Sequence, residues 1–97
     1  MDVERITQVI IGCAFRVHNE LGTGFLEKVY ENAPKLEIEE AGLPVVQQAP
    51  IAVRYRNRVV GDYYADLLVA DRVIVEIKAV QQLAKEHEAQ LVHYLYH

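Results

Sequence analysis

Ninety-seven residues, 52% of them hydrophobic and 25% charged, are enough for one small folded domain and exclude a disordered tail. The formal net charge of −4 excludes a broad basic surface for non-specific nucleic-acid binding. It leaves open an enzyme whose acidic metal site lowers the charge and whose basic patch is local. One cysteine, Cys13, excludes a disulfide framework and a cysteine-based zinc site. No apolar run approaches the roughly 18–20 residues of a membrane span, and residues 1–5 lack a signal peptide's basic and apolar regions, so a cytoplasmic protein without membrane contact is expected.

Residues 2–21 read as a helix. Val3, Ile6, Ile10, Ala14, Val17 and Leu21 recur at spacings of three and four, Asp2 suits an N-cap, and Gly22 suits the position after the last turn. Ile11, Phe15 and Cys13 widen the apolar stripe, which predicts burial on more than one side. A permissive loop, Gly22-Thr23-Gly24, leads to a second helix over residues 25–41, with Thr23 as a candidate cap. Glu27 and Tyr30 lie one turn apart on it. Pro34 predicts a kink or break near Ala33, at a cost of around 3 kcal/mol. The stretch 35–40 reads as acidic and mostly solvated.

Residues 45–55 read as a strand interrupted by Pro50, hence an edge strand or one with a bulge there. Residues 56–58 read as a turn with Asn57 in a left-handed conformation. Residues 59–69 read as a second strand and 73–79 as a third, apolar except for Glu76 and Lys78, which predicts a central strand covered on both faces. The three strands form an antiparallel meander. Residues 83–97 read as a closing helix whose broad face includes His87, Gln90 and Leu91, giving αα-βββ-α.

The chemistry concentrates in the second hairpin. A three-residue loop over 70–72 pairs Val69 with Val73 and sets Asp66 opposite Glu76. A loop one residue shorter or longer sends Asp66 to the other face. Two like charges facing each other across a ladder are destabilising unless compensated. Mg²⁺ would compensate, held by Asp66, Glu76 and the backbone carbonyl of Ile77, with Lys78 beside it to orient water and stabilise charge developing on a phosphate. The plainer reading makes Asp66 an edge-strand charge and Glu76–Lys78 a structural ion pair. Placed together in apolar strands, the three favour function. Glu27 and Gln90 are ambiguous on their own, and His87 and His93 are not at a same-face spacing. Arg54, Arg56 and Arg58 read as a solvated face before a phosphate-contacting stripe.

Gly24-Phe25-Leu26-Glu27-Lys28-Val29-Tyr30 matches G-x-x-E-x-x-Y. With 17–22, 65–69, 75–79 and 87–91 at compatible spacing, nearly the whole chain resembles the GxxExxY family, a branch of the PD-(D/E)XK nuclease superfamily. The resemblance implies an α/β fold of the restriction-endonuclease type and Mg²⁺-dependent hydrolysis of DNA phosphodiester bonds by water, with Mn²⁺ as a substitute. It implies that Glu27 approaches the metal from the helical layer and that Asp66 binds it. Glu76 and Lys78 would form the E-x-K pair, Gln90 would be the polar residue of the following helix, and Tyr30 would hold position. Ala65 stands where the superfamily name has proline, and Pro34 falls where similar sequences continue a helix. Similar sequences also carry a further strand and segment beyond the last helix. Their absence before His97 implies a truncated single domain over 1–97, an open edge on the third strand, and a homodimer or swapped assembly. From a different class, the same features suit a catalytically silent module that assembles with itself or a partner.

Overall fold

The computed structural model describes residues 2–77; the predicted closing helix, together with Lys78 and Gln90, lies outside the described residues. The elements are α1 (Val3–Leu21), α2 (Glu27–Glu40), β1 (Val45–Tyr55), β2 (Arg58–Val69) and β3 (Val73–Val75). The strands form one antiparallel sheet in the order β1-β2-β3.

Local chemistry starts and stops α1 as its sequence requires. The Asp2 side chain accepts the Arg5 N–H at 2.8 Å, and Gly22, at φ 69°, donates its N–H to the His18 carbonyl. Ile6, Ile10, Cys13 and Val17 form its buried face. Ile11 and Phe15 stay exposed, so burial is one-sided. Helix α2 begins after Leu26 with no side-chain cap, and Thr23 takes no part. It passes through Pro34 without a break. The backbone bond that Pro34 cannot donate is lost, but the proline itself is buried between Tyr30 and Ile38, and packing offsets the defect. Ile38 is the one fully buried residue in the stretch 35–40, expected to be mostly solvated.

Both helices lie on one face of the sheet, α1 against β3 and α2 against β1 and β2. Between the layers, Ile6, Ile10, Cys13, Tyr30 and Ile38 meet Leu67, Val69, Val73, Val75 and Ile77. Along β2 the positions Ala65, Leu67 and Val69 are buried and Asp66 and Leu68 only half-buried, the period of two expected of a strand covered on one face. Within the described sheet β1 is an edge strand, as Pro50 requires, and Pro50 pairs with Tyr64 without a slip. The irregularities fall elsewhere: Gln48 has φ 53°, and a bulge lies between Val53 and Arg54. All three residues of β3 are buried, yet within the described sheet β2 is central and β3 lies beside it at the edge. An apolar run reports cover above and below a strand and says nothing of its neighbours in the sheet.

Candidate active site

Residues 70–72 connect β2 to β3, with Ala70 at φ 54° and Asp71 at φ 57°. The Arg72 N–H donates to the Val69 carbonyl at 3.0 Å, and the Ala70 N–H ties the turn to the Pro44 carbonyl at 2.8 Å. Val69 pairs with Val73, Leu68 with Ile74 and Leu67 with Val75. This is the register expected for a three-residue loop; its last pair, Leu67–Val75, stops one step short of Asp66 and Glu76. Regular pairing ends at Val75 and not at residue 79, for a local reason. The Ile77 N–H donates to Asp66 Oδ2 at 2.7 Å, so a side-chain carboxylate takes up a donor that a longer ladder would use. Ile77 therefore meets Asp66 through its N–H, whereas its carbonyl was the atom expected to face a metal.

Asp66 has a second partner. Gln48 Nε2 lies 3.4 Å from Asp66 Oδ1, and it also donates to Glu31 Oε2 at 3.1 Å and Oε1 at 3.2 Å. A primary amide carries two N–H donors, which suits it to a place between two anions. The left-handed backbone of Gln48 accompanies this placement. Glu31 is buried, 6% exposed, and also accepts from Gln47 Nε2 at 2.6 Å and Lys28 Nζ at 3.2 Å. Burial alone would raise its pKa, but the donors from Gln48, Gln47 and Lys28 outweigh it and hold the carboxyl below the usual range. Gln47 also donates to Asn32 Oδ1 at 2.6 Å, which fixes β1 to α2.

Glu27 is exposed at the first position of α2. The carboxylate that α2 turns toward the strands is Glu31, one helical turn later. Sequence reasoning passed over Glu31 and Gln48. Glu31 had a readable signal: Glu31, Pro34 and Ile38 share the buried face at spacings of three and four, where an acid needs a reason. Gln48 had none, because its left-handed φ is not written in a glutamine. Glu76 is half-buried. Burial, and after it the charge of Glu76, pushes the Tyr63 phenol up. Tyr30 has the positional role expected of it. Its hydroxyl donates to the Gly22 carbonyl at 2.7 Å and accepts the Phe25 N–H at 3.3 Å, pinning the loop between the helices.

A family model for the PD-(D/E)XK nuclease superfamily matches residues 4–97. The chain belongs to the PD-(D/E)XK nuclease superfamily. No curated protein and no solved structure matches it. The two helices and antiparallel sheet are accordingly those of a restriction-endonuclease-like α/β fold. PD-(D/E)XK nucleases generally depend on a divalent metal, and the donor set suits a hard cation. Asp66 and Glu76 offer carboxylate oxygens, while burial pushes the Cys13 thiol up and keeps it protonated in the core between helices and sheet. Among the described residues no group of three or more His, Cys, Asp or Glu side chains is clustered for a metal. Two carboxylates with water in the remaining positions are within what Mg²⁺ accepts. Among the described residues, no helix is long and apolar enough to cross a membrane.

Proposed function

We propose that this PD-(D/E)XK chain is a metal-dependent nuclease that hydrolyses phosphodiester bonds in DNA, and that it falls in the GxxExxY branch. The observation that carries the reading is the Val69–Val73 register, which, extended one step past its last pair Leu67–Val75, would align Asp66 with Glu76, two residues before Lys78. Asp66 and Glu76 are the proposed ligands of Mg²⁺, or of Mn²⁺ in its place. When bound, the ion would supply charge neutralisation and an acidified water. Lys78 would orient the attacking water and stabilise the negative charge that grows on the phosphate, and Gln90 would add a polar contact. Ile77 N–H and Gln48 hold the Asp66 carboxylate in one orientation. This reading moves the contribution of α2 from Glu27 to Glu31, which acts as a positioning residue through Gln48. Glu27 then serves the N-terminus of α2, where a negative charge is favourable.

Calorimetric titration with Mn²⁺ and Mg²⁺, paired with a plasmid-nicking assay, tests the reading. Wild type should bind metal and Asp66→Ala should not. Lys78→Ala should keep the metal and lose nicking by about 100-fold or more. Equal heats for wild type and Asp66→Ala would sink the metal site, and undiminished nicking by Lys78→Ala would sink the mechanism. Glu31→Gln should weaken nicking more than Glu27→Gln.

A further inference from the structure

The β1–β2 pair continues well past the body of the domain. Ala49 and Ala65 form its last buried rung, at 2% and 0% exposure. Beyond it every residue from 52 to 62 is exposed, along the rungs Ala52–Asp62, Val53–Gly61, Arg54–Val59 and Tyr55–Arg58. Arg56 and Asn57, at φ 51° and 65°, close this arm in a two-residue turn of the kind whose twist suits a tight hairpin. In a chain of net charge −4, the arm carries Arg54, Arg56 and Arg58 against one carboxylate, Asp62. Among the described residues no carboxylate pairs with these arginines; Arg56 lies over the Tyr55 ring, 5.2 Å from its centroid.

We propose that this arm binds duplex DNA by laying its arginines against the phosphates of both walls of a groove. Adjacent rungs of a ribbon point to opposite faces, so Arg58, on the Tyr55 rung, and Arg54, on the Val59 rung, lie on opposite sides, with Arg56 at the tip. A flat protein partner would engage one face and leave the other guanidinium unused. A groove has a phosphate wall on each side, and the major groove admits a two-stranded ribbon. Guanidinium is the side-chain group best matched to phosphate. The exposed Tyr55, Val59 and Val60 give the ribbon an apolar body to lie against sugars and base edges. The arm and the candidate active site also share a strand. From Arg58 to Asp66 is about eight residues of β2, or roughly 26 Å. A duplex must therefore extend about 8 base pairs from the reacting phosphate to reach the arm. The proposal rests on the nuclease reading for its substrate, and supplies the local positive surface that an acidic chain needs to approach it.

The test is fluorescence anisotropy with a labelled duplex in EDTA, where cleavage does not intervene, over a range of salt. The triple variant Arg54→Gln, Arg56→Asn, Arg58→Gln spares the turn, because asparagine accepts the left-handed conformation, and a far-UV spectrum checks its fold. It should bind at least 10-fold more weakly than wild type, with a salt slope smaller by roughly 2–3. Lysine at all three positions should restore most of the affinity. Arg5→Gln, an exposed arginine on α1, should change neither quantity. Shortening the duplex below about 8 base pairs on the arm side should erase the difference between wild type and triple variant. Equal DNA affinity for wild type and the triple variant would overturn the arm and leave the nuclease reading standing. So would a triple variant that loses only self-association in sedimentation, which would assign the arm to a second copy of the chain. Failure of wild type to bind any duplex would overturn the arm as well, and plasmid nicking by the same preparation would then decide the nuclease reading separately.

Discussion

The two halves of β2 share a strand and a partner but live in different surroundings. From Ala65 to Val69 every second residue is buried, under Tyr30, Ile38 and Ile10. From Arg58 to Asp62 nothing is buried, although the pairing to β1 continues. Hydrogen-bonded pairing alone does not make a core; an apolar layer from the helices does. A two-stranded ribbon is marginal by itself in water, so the arm depends on the rungs at its base. The sharpest way to break this contrast is to truncate one side chain in each half. Leu67→Ala, at a fully buried position, should cost about 2–5 kcal/mol in urea unfolding, from lost burial and the cavity left behind. Val59→Ala, half exposed on the arm, should stay within about 0.5 kcal/mol. Comparable losses at the two positions would mean the arm is packed in solution.

Glu31 separates the halves by charge. Its carboxylate is buried at the junction of α2 and β1, whereas the charges of the arm face water. The folded state holds its pKa below the unfolded value of about 4.3, so the unfolded chain binds this proton first. Its stabilisation is therefore complete above the unfolded pKa and is lost as pH falls through the folded one. Glu31→Gln should cost about 1.5–3 kcal/mol near neutral pH, the worth of hydrogen bonds to a charged group. The gap between the two proteins should close on acidification. A gap constant with pH would show that Glu31 contributes shape and not charge.

Tyr30→Phe keeps the buried ring and removes one oxygen. The Gly22 carbonyl and Phe25 N–H then lose their shared partner, at a cost of about 1–2 kcal/mol in urea unfolding. Because this loop joins the two helices and is no part of the arm, DNA affinity through the arm should not change.

What the sequence made legible follows the same divide. The helix α1, its cap at Asp2 and its stop at Gly22 are written in local chemistry, and the Val69–Val73 register follows from loop length and alternation. Local rules allowed a break at Pro34 that does not occur, because the proline is buried between residues a turn away on either side. They placed β3 at the centre, whereas within the described sheet it lies at the edge, because cover and sheet order leave the same apolar pattern. In the stretch 35–40, read as mostly solvated, Leu36, Glu39 and Glu40 are exposed and Ile38 alone is core. At the candidate active site, Asp66 and Glu76 stood out as charges in apolar strands. Glu31 did not, because the motif marks Glu27 one turn earlier, and Gln48 joins the site through a backbone angle that only the folded chain displays.

The two hairpin turns offer the finest comparison. Ala70 holds φ 54° at the packed end of β2, and Asn57 holds φ 65° at the tip of the arm. Alanine pays for a left-handed backbone through its Cβ, whereas asparagine tolerates it. Ala70→Gly should therefore stabilise by about 0.5–1 kcal/mol, after glycine's greater loss of freedom on folding is set against the relieved strain. In a domain of this size that raises the thermal midpoint by roughly 2–8 °C. Asn57→Gly has less strain to relieve and acts on a segment that can open without the core, so the global midpoint should move by less than about 2 °C. Equal shifts would mean that the tip and the core unfold as one unit, and the ribbon would then have to be regarded as part of the domain's cooperative structure.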